Sequence, residues 1–577
     1  MSKRATGCLI ALGIFLALLV ALFLATLLTL RAPSIKANTV LELPIEGTLI
    51  ECPPTSMLER FFMAKVTVVW EVLQVLQTAA KDNEISGVIL KISPLNSGLA
   101  KIQELRKGVI DFKRSGKFVL SFLETAGNKE YYLASAADEV CLVPVGDLNL
   151  TGLVTEVTFY RGFFDKWGMI PNFEHIGEYK SASDILTRKE MSPAHREATD
   201  SLLDSLYQSL LKDLAQRNKL SNPQNAQELI DKGPFTAQEA LEEGLVDQLL
   251  YEDQFYELVR QKNKGQLPLV TAKDYQRSAV RPPAWGRRPK IALIYATGTI
   301  ATGDSFYAPL VGRVMGSKTI CQAIRSARKN NSIKGIVFRI DSPGGSALAS
   351  DIIWREVELT RGKKPFVVTM SDTAASGGYY IAMGADKIVA QPTTVTGSIG
   401  VISGKFDLRG LYDRLGINKE VITRGKNADL FSDYRSFSPE EKEILLKMIG
   451  NIYKNFVHKA ALGREMTDEE IDSIGRGRVW TGEQAKGNGL VDELGGITEA
   501  VSLIKEMANI PAEEEVEVVI YPRVRPLIWS RWLEIVKTEG INLPEELLSA
   551  TLGLTSKARE LLRERVFTLL PYSIRFR

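Results

Sequence analysis

The sequence contains two copies of one domain-sized unit, and each copy has lost a residue that the other retains. TAASGGYY in the second copy contains Ser376, and a shift of 248 residues places Asn128 at that position of the first copy. The same shift aligns Lys180, within GEYKSASD of the first copy, with Ala428. A duplicated fold that divides a nucleophile and a possible amine base between its copies predicts one composite hydrolytic site for each pair of repeats.

Further matching segments define the domain boundaries. VLELPIEGTLI resembles IALIYATGTIA, and NEISGVILKI matches NSIKGIVFRI. We therefore place an N-terminal repeat with the lysine at 38–275 and a C-terminal repeat with the serine at 290–510. The segment 276–289 between them is rich in Pro and Arg, which indicates a linker. We expect 511–577 to be a C-terminal extension outside the repeat, with an amphipathic helix over 555–570.

Each copy alternates apolar, strand-like runs with helix-like stretches. In the second copy, IVFRI (336–340) and PFVVTM (365–370) are typical of short buried strands, and 347–361 between them is helix-like. A third apolar run, 386–391, follows the helix-like stretch 378–385. This alternation predicts an α/β domain with mostly parallel strands in each copy.

The N-terminus contains an apolar run that is long enough to cross a membrane. Residues 7–30 carry no charge and follow the basic start MSKR. At about 1.5 Å per residue they can span a bilayer of roughly 30 Å, and no A-x-A-like cleavage site is evident. We therefore expect 1–37 to be an uncleaved, single-pass anchor with a cytoplasmic N-terminus and extracytoplasmic repeats. The membrane would be a plasma or inner membrane, or a thylakoid membrane in a photosynthetic organism.

Charge and cysteine content give no sign of several other classes of protein. The chain has 72 Lys and Arg against 69 Asp and Glu, so a nucleic-acid-binding surface is not indicated. Its four cysteines include no C-x-x-C pair. We therefore expect neither a metal site nor a disulfide framework.

Ser376 lies directly after the strand-like PFVVTM and at the start of a predicted helix. Backbone N–H groups at a helix start are unpaired and can stabilise the oxyanion of an acyl-transfer reaction, so Gly377 would supply one donor. DSPGGS (341–346) is the candidate for the second donor, through Gly344 or Gly345, because glycine lets a substrate approach the backbone closely. The alternative is that Ser376 only caps its helix and the glycines only form turns.

Lysine is the simplest candidate for the general base that activates this serine. The chain contains only three histidines, and no G-x-S-x-G elbow surrounds Ser376, although a Ser–His–Asp arrangement remains open. A lysine acts as a general base only when burial lowers its pKa from about 10.4 towards neutrality. Apolar neighbours of Lys180 offer such a setting, whereas an isolated lysine is more commonly a solvated surface charge.

Taken together, these segments resemble the long, duplicated form of signal peptide peptidase A, also called protease IV. The resemblance covers the anchor and roughly residues 38–500. TAASGGYY is similar to the family's nucleophile segment, DSPGGS to its oxyanion turn, TGSIGV to its substrate-site loop and GEYKSA to its base segment. The roles it implies are nucleophile for Ser376, general base for Lys180, oxyanion donors for Gly377 and Gly344, and orientation of the lysine for Ser398.

The same resemblance implies a fold, an activity and an assembly. The fold would be tandem, duplicated α/β domains similar to Clp proteases and crotonases, preceded by a transmembrane helix. The activity would be a serine endopeptidase that degrades cleaved signal peptides and other hydrophobic peptides through an acyl-enzyme, without metal or cofactor. Members form ring-like or dome-like homo-oligomers, so we expect a homo-oligomer, with a tetramer as the expected size.

Two other classes of function remain open at this point. A crotonase-like acyl-CoA enzyme would use the same backbone oxyanion donors on a thioester, although a membrane anchor argues against cytosolic cofactors. A catalytically silent membrane scaffold would use the repeats for assembly alone. Covalent labelling of Ser376 with a fluorophosphonate separates the protease from both.

Overall fold

The computed structural model describes most of the chain after residue 34. The described residues are 35–54, 59, 66–217, 222–279, 288–308, 311–522 and 566–569. The predicted membrane span lies outside these residues. Among the helices within them, none combines the length and the apolar character that crossing a membrane requires.

Strands supply the framework of both repeats. In chain order they are β1 (Thr39–Ile50), β2 (Val66–Val68), β3 (Ile85–Leu95), β4 (Phe118–Leu123), β5 (Ala126–Gly127), β6 (Glu139–Leu142), β7 (Asp147–Asn149), β8 (Ile170–Ile176), β9 (Phe235–Thr236), β10 (Gln248–Leu249), β11 (Leu269–Thr271), β12 (Lys290–Thr297), β13 (Thr299–Ala301), β14 (Phe306–Ala308), β15 (Gly312–Gly316), β16 (Ile333–Ser342), β17 (Gly344–Ser346), β18 (Phe366–Ala375), β19 (Lys387–Ala390), β20 (Val395–Gly397), β21 (Val401–Asp407), β22 (Val479–Thr481), β23 (Glu493–Leu494), β24 (Glu517–Tyr521) and β25 (Val566–Leu569).

Helices cover the sheets and cross between the strands. They are α1 (Val69–Lys81), α2 (Leu99–Lys113), α3 (Asn128–Ala134), α4 (Arg161–Trp167), α5 (Asp184–Thr187), α6 (Pro193–Leu214), α7 (Pro223–Lys232), α8 (Ala237–Glu242), α9 (Glu252–Lys262), α10 (Ala272–Ala279), α11 (Ser317–Lys329), α12 (Ala347–Glu358), α13 (Gly377–Tyr380), α14 (Arg409–Leu415), α15 (Pro439–Arg464), α16 (Asp468–Ile474), α17 (Gly482–Gly487) and α18 (Ile497–Met507), together with a 3₁₀ turn at Ser181–Ser183. Helix α10 extends into the predicted linker 276–289, of which 280–287 lie outside the described residues.

The two repeats contain equivalent parallel sheets. In the first, the strand order is β10-β6-β4-β3-β1-β11, and in the second the corresponding order is β23-β19-β18-β16-β12-β24. Neighbouring strands in both orders are parallel. The predicted α/β class and the duplication are therefore confirmed. The helix-like stretch 378–385 is shorter than predicted, because α13 ends at Tyr380.

Two parts of the expected C-terminal extension belong to sheets. Strand β24 pairs with β12 as β11 pairs with β1, and it lies 248 residues after β11, so the second sheet includes residues beyond 510. The predicted amphipathic helix over 555–570 is wrong for 566–569, which form β25. The sequence VFTL favours a strand once two neighbouring strands offer open edges, which outweighs helical periodicity. The remainder of 555–570 lies outside the described residues.

A third sheet joins the repeats, with the order β14-β15-β13-β17-β25-β21-β8. Strand β8 of the first repeat pairs antiparallel with β21 of the second over seven residues, from Ile170 opposite Asp407 to Ile176 opposite Val401. Gly404 makes this approach possible, because a Cβ there would lie 2.2 Å from the Asn172 carbonyl oxygen. The pairing brings the segment after β8 next to the segment before β21.

Buried ion pairs form a second connection between the repeats. The Arg339 guanidinium, on β16, is fully buried and donates to Glu51 at 2.8 and 3.0 Å and to Glu104 at 2.6 Å. Glu51 follows β1 and Glu104 lies on α2, so both carboxylates belong to the first repeat. Burial acts to raise the pKa of Glu51, but the charges of Arg339 and Lys101 outweigh it and lower that pKa. The network therefore holds charges that are stable only while they stay paired.

Replacement of Arg339 by Met should strongly destabilise the fold, because it leaves Glu51 and Glu104 buried without their cation. Breaking a buried pair on one side removes about 3–5 kcal/mol of stability. The shift of the urea unfolding midpoint measures this loss. Arg325→Met is the matched control, because its guanidinium side chain is 48% exposed and pairs with Glu356. Equal shifts for both variants would contradict the buried-pair interpretation.

Candidate active site

Ser376 stands at a sharp turn between β18 and α13. Its backbone has φ 57° and ψ −113°, a conformation that a residue with a side chain rarely adopts. The Ser376 N–H donates to the Gly397 carbonyl oxygen at 2.7 Å, which ties the turn to the end of β20. Gly378 is needed beside it, since a Cβ there would lie 2.7 Å from the Ser342 carbonyl oxygen. The strained turn directs the serine side chain inward, where it is fully buried.

Lys180 reaches Ser376 from the other repeat through the loop that follows β8. Tyr179 N–H donates to the Arg476 carbonyl oxygen at 2.9 Å, and Lys180 N–H donates to the Gly177 carbonyl oxygen at 3.1 Å. Gly477 lies so close that a Cβ on it would approach the Lys180 backbone nitrogen to 2.4 Å. The loop is thus held between β21 and 476–478, and its lysine points into the protein.

The two predicted residues meet in the structure. Lys180 Nζ lies 2.6 Å from Ser376 Oγ, and both side chains are 0% exposed. Burial lowers the pKa of the Lys180 amine well below the ordinary value of a lysine. A neutral amine at this distance can accept the serine proton, which is the requirement for nucleophilic attack by the hydroxyl.

Ser398, the residue that the family resemblance implied would orient the lysine, contacts the same amine. Lys180 Nζ donates to Ser398 Oγ at 3.0 Å and to the Ser398 carbonyl oxygen at 3.0 Å. Ser398 is fully buried and has a φ of 53°, so this turn is strained as well. With two N–H groups held by Ser398, the lone pair of a neutral amine is left to face Ser376.

The two glycines predicted as oxyanion donors lie on either side of the serine turn. Gly377 is the first residue of α13, and Gly344 begins β17 with a φ of 105°. The Gly344 N–H donates to Ser342 Oγ at 3.2 Å. A weak, long hydrogen bond of this kind can be exchanged for a stronger bond to an oxyanion.

The three histidines do not join the serine. Across the described residues, which include all three, none hydrogen-bonds to Ser376. His458 is exposed and contacts Asp468, His175 contacts the Gly177 carbonyl oxygen, and buried His195 lies 3.7 Å from Asp184. A Ser–His–Asp arrangement is therefore not formed at this turn.

The sequence did not predict a set of ion pairs, here called the Lys101 clamp, between Lys101 and two aspartates close to the site. Lys101, at the start of α2 in the first repeat, donates to Asp341 at 2.6 Å and to Asp372 at 2.9 Å. Asp372 also accepts from the backbone N–H groups of Gly98 and Lys101, at 2.9 and 3.0 Å. Asp341 opens the DSPGGS turn and Asp372 precedes the serine turn on β18, so Lys101 is a positioning residue for both. A signal was present, because the repeat offset aligns Lys101 with Ala349.

At the equivalent position of the first repeat, the side chain hydrogen-bonds within its own repeat. Asn128, the counterpart of Ser376, donates to the Gly152 carbonyl oxygen at 2.8 Å and accepts from the Thr151 and Gly152 N–H groups at 3.1 Å. Ala428, the counterpart of Lys180, lies in an exposed turn. The chain therefore forms one arrangement of serine and lysine from its two repeats.

The chain is similar to known proteins over both repeats. The sequence pattern of "Peptidase family S49" matches residues 111–266 and 358–511, once in each repeat. The chain belongs to peptidase family S49. A relative, "Serine protease SPPA, chloroplastic" from Arabidopsis thaliana, is 39% identical over 76% of this chain and 66% of its own length. "Protease 4" from Salmonella typhi is 33% identical over 82% of this chain and 79% of its own length.

Family S49 membership confirms the resemblance to the duplicated signal peptide peptidase A, and it makes this chain a serine protease. Among solved structures, a ClpP1 mutant from Listeria monocytogenes is 18% identical and covers 35% of this chain and 90% of its own length, with a TM-score of 0.23. The finer likeness to Clp proteases and crotonases stays a prediction.

Labelling of Ser376 in this S49 peptidase should depend on pH through Lys180. The neutral amine is the form that accepts a proton, so the rate of fluorophosphonate labelling should rise with pH through the lowered pKa and then become constant. The unfolded chain keeps an ordinary lysine and binds more protons between the two pKa values, so the fold also loses stability as pH falls. Near-UV circular dichroism at each pH separates these effects, and a flat rate profile in folded protein would contradict the assignment.

Proposed function

We propose that this chain is a membrane-anchored endopeptidase in which Ser376 is the nucleophile and Lys180 is the general base. The observation that carries the proposal is the 2.6 Å separation of the buried amine and hydroxyl. Ser376 Oγ attacks a peptide carbonyl while Lys180 takes its proton, and the protonated lysine then returns that proton to the leaving amine. Water releases the acyl group, again with Lys180 as the base. Gly377 and Gly344 donate to the oxyanion, and Ser398 orients the lysine.

The proposed substrates are cleaved signal peptides and other hydrophobic peptides. Such peptides remain in the membrane after processing, and an enzyme anchored through 1–37 would meet them there. The partner of the anchor is membrane lipid, with the N-terminus in the cytoplasm and both repeats outside it. The relatives named SPPA and Protease 4 support this choice over an acyl-CoA enzyme or a silent scaffold.

We also propose that the chain forms homo-oligomers through the counterparts of β8 and β21. The repeat offset of 248 relates β8 to 418–424 and β21 to 153–159, and neither of these segments forms a strand within the described residues. Both expose apolar side chains, of which Ile422 is 85% exposed. Pairing of 418–424 from one copy with 153–159 of the next would repeat the contact that joins the two halves of one chain. Head-to-tail contacts form a ring where the rotation between copies closes, and a tetramer is the ring size that we propose.

Ser376→Ala and Lys180→Met should each abolish cleavage of a leucine-rich peptide without unfolding the protein. Loss of a general base lowers kcat about 10²–10⁴-fold, and loss of the nucleophile lowers it at least as much. Initial rates measured by mass spectrometry, with circular dichroism of each variant, provide the test. Lys405→Met is the matched control, because Lys405 is also buried but donates to the Leu430 carbonyl oxygen. Retention of most activity by Lys180→Met would mean that another group is the base.

Ile422→Asp should weaken the assembly, because it places a charge in the proposed strand pairing between copies. We expect light scattering to give a smaller particle mass than for the unaltered protein, with circular dichroism unchanged. Leu462→Asp is the control, since Leu462 is 60% exposed on α15 and outside both segments. An oligomer that is unaffected by Ile422→Asp, or equally affected by both variants, would argue against this interface.

A further inference from the structure

The Arg478 side chain lies between two aromatic rings at the contact of the two repeats. Its guanidinium carbon is 4.9 Å from the centre of the Tyr179 ring and 4.7 Å from the centre of the Trp480 ring. The same guanidinium donates to Glu197 on α6 at 2.6 Å. The Tyr179 hydroxyl donates to the other oxygen of that carboxylate at 3.2 Å. Arg478 therefore joins the residue before Lys180 to α6 and to β22.

The backbone of the same residue holds the turn that contacts the Lys180 amine. The Arg478 carbonyl oxygen accepts from the Ser398 N–H at 2.7 Å, and the neighbouring Gly477 N–H donates to the Ile399 carbonyl oxygen at 2.7 Å. Ser398 in turn accepts from Lys180 Nζ through its hydroxyl and carbonyl oxygens, each at 3.0 Å. One residue thus contacts the segment that carries the proposed base through its side chain, and the serine that orients this base through its backbone.

Neither member of the stacked pair has a similar residue at the equivalent position of the other repeat. Helix α17 begins 245 residues after its equivalent α8, and both helices start with a threonine capping box. This offset aligns Arg478 with Gly233, where a Cβ would lie 2.1 Å from a backbone carbonyl oxygen. The offset of 248 aligns Tyr179 with Asn427. The pair is therefore a feature of the contact that contains Lys180 and is not repeated by the duplication.

We propose that Arg478 is a positioning residue for the general base, and that the stacking of its guanidinium on Tyr179 keeps Lys180 within reach of Ser376. The inference rests on the proposed function of Ser376 and Lys180. A guanidinium cation is attracted to the face of an aromatic ring, and its planar shape fits between two rings in a way that a lysine ammonium does not. The ion pair with Glu197 contributes less, because the Glu197 side chain is 56% exposed.

Loss of this stack would change two measurable properties of the amine. Tyr179 is adjacent to Lys180 in the chain, so movement of its ring moves the amine relative to Ser376. Misplacement of a reacting group by about 1 Å can cost 10²-fold in rate. The same movement admits water to an amine whose pKa burial holds well below the ordinary value. With water around it, the amine regains part of its ordinary pKa, and a larger fraction of it is protonated and unable to act as a base.

Within the described residues, no charged side chain of the surrounding elements hydrogen-bonds to the Lys180 amine, whose partners are Ser376 and Ser398. The titratable and charged groups on these elements are His175 on β8, Glu178 and Asp184 on either side of Lys180, His195 and Glu197 on α6, and Arg476 and Arg478 before β22. Glu178 lies 3.7 Å from Arg476, and Asp184 lies 3.7 Å from His195. A shift in the pH dependence of Ser376 labelling therefore reports on the surroundings of Lys180.

The pH profile of fluorophosphonate labelling at Ser376 tests the positioning role. Arg478→Lys keeps the charge but loses the planar stack, so the midpoint of the rise in labelling rate should move to higher pH. With the leucine-rich peptide, kcat should fall about tenfold and KM should stay unchanged, because Arg478 acts on the base and not on the substrate. Tyr179→Leu should give the same shift. The double variant should give no more than either single variant, since both substitutions remove one contact.

Arg409→Lys is the matched control, because Arg409 is exposed on α14 and its guanidinium lies 5.7 Å from the centre of the Tyr434 ring. Its labelling midpoint and kcat should equal those of the unaltered protein, and near-UV circular dichroism should show a native fold for every variant. An unchanged midpoint for Arg478→Lys, in an enzyme that cleaves the peptide through Ser376, would overturn this inference alone. A shift that Tyr179→Leu does not share would overturn it as well. Absence of labelling at Ser376 of the unaltered protein at every pH would overturn the proposed function and this inference with it.

Discussion

The antiparallel pairing of β8 with β21 is the interaction on which the candidate site depends. Strand register changes only in steps of one residue, and each step would turn every side chain to the opposite face. Seven paired residues therefore fix where the loop after β8 emerges. That loop carries Lys180, and the segment before β21 carries Ser398. The contact between the Lys180 amine and the Ser398 hydroxyl therefore follows from the register. Gly404 is the small residue that permits it.

Two buried lysines of the first repeat have pKa values that are shifted in opposite directions. Lys180 is buried, and no carboxylate among the described residues pairs with its amine, so burial lowers its pKa and favours the neutral form. Lys101 is also buried, but the charges of Asp341 and Asp372 outweigh the effect of burial and raise its pKa. The first lysine is suited to take a proton and the second to hold two turns together. Both lysines belong to the first repeat and contact residues of the second, so the site requires both repeats.

The repeated segments and the strand-like runs of the sequence predicted the parallel α/β repeats and a site that combines Ser376 with Lys180, whereas the role expected for Ser398 came from the family resemblance. It did not predict the Lys101 clamp or the Arg339 network. The repeat offset distinguishes Lys101 from its counterpart Ala349, but the partners of Lys101 and Arg339 depend on which residues of the two repeats face each other across an interface. Strand β25 was mistaken for part of a helix for the same reason. Its conformation is decided by the open edges of β17 and β21, which lie more than 150 residues earlier in the chain.

The space between β17 and β21, which β25 fills, constrains the backbone conformation of its occupant more than the amino-acid sequence. Buried backbone N–H and C=O groups require hydrogen-bond partners, and on two facing edges only an extended backbone can supply them along its length. Such a position favours an extended backbone without proline at the paired residues over any particular set of side chains. Residues 566–569 meet this requirement as an extended strand that pairs with both edges.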